Sequence, residues 1–216
     1  MQELIKQEQF ELEVLDKMKS AKLLDNLLFI GGTMLRLCYG LERFSVDLDF
    51  WLLRETNAKQ LLAGLKTCLG KSYAVKDSAD KFYTILLEIK SKGYPRSLKL
   101  EIRKKQAPVE PRQSIAYSKY SNLQVLVNTL SLEDAMKSKI ETFLKRGEIR
   151  DAFDIEFLCR KGVKISETEE TRGELLKRIG AFSKTDYTVK LGSLLEPGLR
   201  KYYAAENFKI IKNSLS

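Results

Sequence analysis

The chain has 216 residues, enough for one sizeable domain or two small ones with a real apolar core, and it contains no histidine. That absence excludes Ser-His-Asp and Cys-His mechanisms, imidazole metal sites and His-His ribonuclease chemistry, leaving carboxylates, lysine, hydroxyls and a hard metal ion. The 38 Lys and Arg against 29 Asp and Glu leave a formal charge of +9, which favours polyanionic partners. Cys38, Cys68 and Cys159 are odd in number, widely spaced and set among apolar neighbours, so they describe neither a disulfide framework nor a zinc site, and a reducing cytoplasm fits best. No apolar stretch approaches the ~20 residues of a membrane span, and the N-terminus MQELIKQEQFELEVL is charged throughout rather than signal-like.

In chain order, residues 3–24 read as an amphipathic helix, with Leu4, Phe10, Leu12, Val14, Leu15 and Met18 at helical spacing. The run Leu27 to Ile30 reads as a buried strand entering a turn at Gly31-Gly32, and Thr33 to Tyr39 returns to helix. Val46 to Leu52 alternates as a strand does, and 56–68 is a further helix. Strands are expected near 71–76, at Phe82 to Ile89, at Leu98 to Arg103 and at Leu123 to Asn128. Segment 106–120, with Pro108 and Pro111, reads as a loop or lobe connection. Helices follow at 131–145 and 149–160, and from a capping box at Ser166 and Glu169 to about Phe182, with two more helical segments around Pro197-Gly198. The expected class is therefore α+β: a mixed sheet with helices in residues 1–129, followed by a helical region over 130–216 that completes the active site.

The informative stretch runs from Phe29 to Phe50. In a strand, Val46, Leu48, Phe50 and Leu52 share one face and Asp47, Asp49 and Trp51 the other. With the apolar face in the core, the two carboxylates sit about 7 Å apart at their Cα atoms. Such a pair suits Mg²⁺ or Mn²⁺, whose charge relieves the repulsion; the alternative for an isolated Asp-x-Asp is a solvated strand face. A buried strand ending in Gly31, Gly32 and Thr33 before a helix presents backbone N–H groups to an anion. Thr33 can cap the helix and donate to a phosphate oxygen, while Arg36 and Arg43 supply compensating charge. An ordinary turn would show the same three residues, but joined to Asp-x-Asp they become a phosphate cradle beside a metal site, as triphosphate chemistry requires. Glu101, opposite the apolar face of the 98–103 strand, is a candidate third carboxylate.

In the helix from 131, Ala135, Met136, Ile140, Phe143 and Leu144 form one apolar stripe, and Lys139 falls inside it. Either its stem packs while the ammonium snorkels out, or the helix aims Lys139 at a triphosphate as a point charge. Arg146 lies close to the same line. In the next helix Asp154 sits between Phe157 and Leu158 on the helical wheel; it can pair with Arg150 at i,i+4 or orient Lys139 or another cation.

The order GGTMLRLCYGLERFSVDLDF, then LKLEI, then EDAMKSKIETFLKRGEIRDAFDIEFL resembles the AbiEii-type (MenT-like) nucleotidyltransferases, toxins of bacterial toxin-antitoxin systems, over about residues 27–160. The resemblance implies a polymerase β-like core capped by C-terminal helices. It assigns Gly31, Gly32 and Thr33 to the phosphate-binding turn, Asp47 and Asp49 to the metal, Lys139 to the nucleotide, and Asp154 to the family's late aspartate; Arg36, Arg43 and Ser45 match surrounding nucleotide-binding positions. Some relatives transfer nucleotides to the 3′ acceptor end of tRNA, which blocks translation. A nucleoside triphosphate, tRNA and a cognate antitoxin are thus the implied partners. The long N-terminal helix lies outside the family pattern. The implied reaction is attack of a hydroxyl on the α-phosphorus with pyrophosphate leaving, the proton passing to a carboxylate such as Glu101 or to metal-bound solvent. A protein or small-molecule hydroxyl is the alternative acceptor, and a non-catalytic nucleotide- or RNA-binding module the alternative class. The basic run Arg103-Lys104-Lys105, with Lys145, Arg146 and Arg150, leans toward tRNA.

Overall fold

In a computed structural model, which describes residues 1–106 and 109–215, the chain divides into two compact units: 1–40 with 44–130, and 41–43 with 131–216. The short segment 41–43 groups with residues 131–216 rather than with the helix before it and the strand after it.

The first unit holds α1 (Gln2–Ser20), β1 (Leu27–Ile30), α2 (Gly31–Tyr39), β2 (Asp47–Leu52), α3 (Ala58–Leu69), β3 (Ala74–Asp80), β4 (Thr84–Lys90), β5 (Leu98–Gln106), β6 (Arg112–Tyr117) and β7 (Gln124–Thr129). The strands form a sheet in the order β3-β4-β5-β2-β1-β7-β6. Pairs β2–β5 and β1–β7 are parallel and the other pairs antiparallel, which is the mixed sheet expected. Strand β1 is short and wholly apolar, and both of its faces are buried. Strands β2, β4 and β5 alternate buried and half-buried residues, so one face of each is core and the other meets solvent. Phe29 and Phe50 stack at 5.2 Å between centroids, and Phe10 of α1 stacks on Tyr94 at 4.4 Å. Helix α1 packs on β7 and β5. Removing a fully buried ring such as Phe10 costs about 3–5 kcal/mol.

This unit departs from its sequence pattern in two places. Segment 106–120 is not simply a connection, because Arg112–Tyr117 forms β6 and pairs antiparallel with β7. Its alternation is masked because it is an edge strand in which only Ala116 is fully buried. Pro108 lies outside the described residues. The strand expected near 71–76 runs instead from Ala74 to Asp80, a polar edge strand carrying few apolar signals.

The second unit contains α4 (Leu132–Arg146), α5 (Ile149–Arg160), α6 (Glu169–Gly180), a π-helical segment Asp186–Leu191, α7 (Pro197–Glu206) and α8 (Lys209–Leu215). Ser131 caps α4 by accepting from the Asp134 amide, and Gly147 closes it in the left-handed region at φ 66°. The box at Ser166 does not form. Thr168 caps α6 instead, accepting from the Thr171 amide, so the helix starts at Glu169 with Glu169 and Glu170 in its first turn. Pro197 opens α7 as its first residue, where its missing N–H is not needed. Phe153, Tyr203, Phe208 and Tyr187 form a linked aromatic core.

Cys38, Cys68 and Cys159 are free thiols. Burial pushes Cys38 up to about 12, so it carries no thiolate at neutral pH. Among the described residues, no helix is long and apolar enough to cross a membrane.

Candidate active site

In the first unit, β1 delivers the chain to Gly31 at the N-terminus of α2, while β2 runs antiparallel to β1 with Asp49 opposite Ile30. Gly31 has φ +85°, and a Cβ built there would lie 2.8 Å from Asp49 Oδ2. Glycine is therefore required both by the backbone conformation and by the closeness of the carboxylate. The turn that presents the helix amides also sets them beside an acidic oxygen, so an anion entering here needs a cation with it.

Thr33 is 1% exposed, and its Oγ1 donates to the backbone carbonyl of Asp47 at 2.6 Å. It does not cap α2: the cap position is Ile30, so the threonine lies inside the first turn. The hydroxyl expected on a phosphate instead straps the start of β2 to α2, fixing where Asp47 begins. Gly32 is buried beside it, and Ser45 is half-buried in the irregular segment before β2.

Asp47 and Asp49 are half-buried on the same face of β2. Strand β5 runs parallel to β2 with Lys99 beside Asp47 and Glu101 beside Asp49, about 4.8 Å away across the ladder. Lys99 Nζ lies 3.0 Å from Glu101 Oε2. That hydrogen bond, opposed by partial burial and reinforced by the charges of Glu101, Asp47 and Asp49, raises the Lys99 ammonium above its ordinary value. Asp47, Asp49 and Glu101 thus share a sheet face with Lys99. Among the described residues, no three His, Cys, Asp or Glu converge as a metal-binding group, and Glu101 is turned to Lys99. The donors that fit a hard divalent cation are Asp47 and Asp49: all oxygen and on one face of β2.

Arg36 of α2 pairs with Glu8 of α1 and lies over the Phe44 ring, 3.8 Å from its centroid. Glu8 also accepts from Ser118. The guanidinium expected near phosphate thus also has a partner in α1. One turn along α1, Glu11 is fully buried, and neither of its oxygens has a hydrogen-bond partner among the described residues. Burial, then the charges of Glu8 and Asp47, push its carboxyl well above the usual range, opposed by Arg36.

In the second unit, Asp154 of α5 is fully buried and anchors a chain of ion pairs. Arg43 grips it with both arms, Nε to Oδ1 at 2.6 Å and Nη2 to Oδ2 at 2.7 Å. Lys139 Nζ, 8% exposed at residue level, lies 2.6 Å from Asp154 Oδ2 and 3.7 Å from Asp151 Oδ1. Asp151, also fully buried, is gripped in turn by Arg146 at 2.6 and 2.7 Å. Burial would raise the Asp154 carboxyl, but the Arg43 and Lys139 charges outweigh it and hold it below the usual carboxylate range. Lys139 is therefore inside the unit rather than snorkelling outward. Its partner, and Arg43's, is Asp154. Arg150 approaches Glu148 instead, at 4.0 Å. The pattern missed Arg146–Asp151, although the αL glycine Gly147 between them is the signal for a turn tight enough to bring them together.

The sequence matches the family described as nucleotidyl transferase AbiEii toxin, type IV TA system, over residues 13–212. No curated protein matches it. Among solved structures, an H. pylori protein assigned as a nucleotidyltransferase is 24% identical with a TM-score of 0.55, covering 96% of each chain. JHP933 from Helicobacter pylori is 23% identical with a TM-score of 0.53, covering 95% of this chain and 93% of that one. The nucleotidyltransferase toxin MenT4 from Mycobacterium tuberculosis is 16% identical with a TM-score of 0.55, covering 95% and 85%. These structures share its fold.

Proposed function

The chain belongs to the AbiEii nucleotidyl transferase toxin family, and from that premise we propose that it transfers a nucleotide from a nucleoside triphosphate to the 3′ acceptor end of tRNA in the cytoplasm, so blocking translation. The observation that carries this reading is the placement of Asp47 and Asp49 on one face of β2 with Gly31 pressed against Asp49 at the start of α2. Asp47 and Asp49 would hold Mg²⁺ or Mn²⁺, which supplies charge neutralisation for the triphosphate. The α2 amides at Gly31 and Gly32 offer hydrogen bonds to phosphate oxygens, and Thr33 keeps the strand carrying Asp47 in place. A bond forms between the acceptor oxygen and the α-phosphorus, the bond to the β-phosphate oxygen breaks, pyrophosphate leaves, and the hydroxyl proton passes to a carboxylate such as Glu101. Lys139 is assigned to the nucleotide by the family pattern, and its support within the second unit is that Asp154 holds its ammonium in one place. Arg36, Arg43 and Ser45 carry over as nucleotide-binding positions in the same way. A cognate antitoxin is the partner that toxin membership implies.

The test is a screen of four labelled triphosphates against purified tRNA with Mg²⁺ or Mn²⁺, and with chelator as control. Label that becomes RNase-sensitive and disappears with chelator is the expected result. Label on protein or a small molecule instead would move the acceptor, and triphosphate binding without turnover would favour a binding module.

A further inference from the structure

The solvent-facing side of the sheet continues past the acidic pair toward an aromatic, cationic hairpin. Strands β2 and β5 are parallel, so the register that sets Glu101 beside Asp49 also sets Arg103 beside Trp51. Strand β4, antiparallel to β5, sets Thr84 beside Arg103. By the two-residue period of a strand these five side chains share a face. All are exposed or half-buried, while the intervening Phe50, Ile102 and Ile85 are in the core.

One step beyond Thr84, Phe82 and Tyr83 lie at the tip of the β3–β4 hairpin. They are 83% and 77% exposed, and their rings meet edge to face with centroids 4.5 Å apart. The Lys104 amide donates to the Tyr83 carbonyl at 2.9 Å, which brings the basic end of β5 alongside the tip. Lys104 is paired with Asp80 at 2.5 Å, whereas Lys81, next to Phe82 in sequence, and Arg103 and Lys105, on either side of Lys104, are exposed. Two adjoining aromatic rings in water, with exposed cations near them in sequence and strand register, match single-stranded nucleic acid: bases offer π-faces to the rings and phosphates offer charge to the cations. From Glu101 to Lys105 is four residue steps, about 13 Å of strand at ~3.3 Å per residue, the length of about four stacked nucleotides at ~3.4 Å each.

We propose that this strip is the docking track for the single-stranded 3′ end of an RNA acceptor, with bases on Phe82 and Tyr83, phosphates on Lys81, Arg103 and Lys105, and the terminal hydroxyl at the Asp47–Asp49 face. The inference rests on nucleotidyl transfer to RNA, proposed above, and adds the residues that hold the acceptor. Phe82 and Tyr83 are positioning residues: they touch the RNA away from the reacting atoms.

The test follows label transfer to tRNA by the full chain at saturating triphosphate, together with binding of a fluorescent single-stranded oligoribonucleotide without triphosphate. F82A/Y83A is expected to raise KM for RNA and weaken oligonucleotide binding tenfold or more, with KM for the triphosphate within twofold of wild type. F82W/Y83W, which keeps two π-faces, is expected to bind RNA like wild type, and R103Q to lower the salt slope of binding by about one. Both rings are exposed, so the melting temperature checks that the variants fold. If wild type labels RNA and F82A/Y83A does so with unchanged KM, the docking track is wrong and transfer to RNA stands. If wild type labels a protein and no RNA, the underlying reading falls and the track with it. Loss of a partner protein from F82A/Y83A with RNA affinity intact would overturn the proposal in favour of a protein-docking hairpin.

Discussion

Gly31 and Asp49 are packed so closely that a methyl group on the glycine would sit 2.8 Å from the aspartate Oδ2. The glycine's φ of +85° adds a second constraint, since side chains other than hydrogen are strained there. Gly31→Ala is therefore expected to displace the Asp49 carboxylate and to cost about 1–3 kcal/mol of backbone strain. Transfer activity should fall at least a hundredfold in protein that still folds below its lowered melting temperature. Wild-type turnover in Gly31→Ala would show that the contact has no bearing on the reaction.

Asp49→Asn keeps the shape of the side chain and removes one charge from a face that also carries Asp47 and Glu101. Because like charges on adjacent strand positions repel, we expect this variant to melt within a few degrees of wild type or above it, while label transfer drops by three orders of magnitude or more. Wild-type activity at any metal concentration would remove Asp49 from the scheme. Chelation of the wild type should reproduce the activity loss.

The ion pairs around Asp154 lead to a different expectation for the second unit. Removing Asp154 leaves Arg43 and Lys139 buried without it, and breaking a buried pair in this way costs about 3–5 kcal/mol. Lys139→Ala is milder, because Asp154 retains the two-armed grip of Arg43. It should abolish transfer but also lower stability, so activity must be compared where both proteins are folded. Urea unfolding of the two variants orders the costs, and an Asp154→Ala midpoint equal to wild type would contradict the buried network.

Glu11 makes stability depend on pH. Its folded carboxyl titrates well above its unfolded value of 4.5, so the folded state binds the extra proton between the two. The stability that Glu11 contributes is greatest below the unfolded value and declines as pH rises toward the folded one. Glu11→Gln removes that decline. Melting curves across pH 5 to 8 should show the variant gaining on wild type as pH rises, with each kcal/mol appearing as about 2–4 °C. A constant difference across the range would mean that Glu11 is ionised in the folded protein. Asp154 works in the opposite sense, its contribution being lost only as pH falls below the ordinary carboxylate range.

Periodicity and turn chemistry were enough to place most of the first unit. Alternation in Asp47–Leu52 and Leu98–Arg103 puts the acidic residues on the solvent-facing side, because a strand buried on one face can satisfy its apolar residues in only one register. Two glycines after a short apolar strand mark the turn into α2, and the apolar stripe of α4 marks Lys139 as a cation on an inward face, which either snorkels outward or is held inside. Edge strands such as Arg112–Tyr117 escape this kind of reading, since half-exposed strands lose the contrast on which it depends.

Partnership was beyond the reach of pattern, because it is settled by side chains far apart in sequence. Arg43 and Asp154 are 111 positions apart and Arg36 and Glu8 are 28, so only the folded backbone pairs them. The same holds for Thr33, whose hydroxyl goes to the Asp47 carbonyl because the start of α2 and the start of β2 are brought together. A desolvated charge or hydroxyl takes whichever partner the fold sets within hydrogen-bonding distance, because an unmade bond in the interior is costly. Residue types and spacing thus identified the chemical groups, and tertiary packing decided which of them hold one another in place.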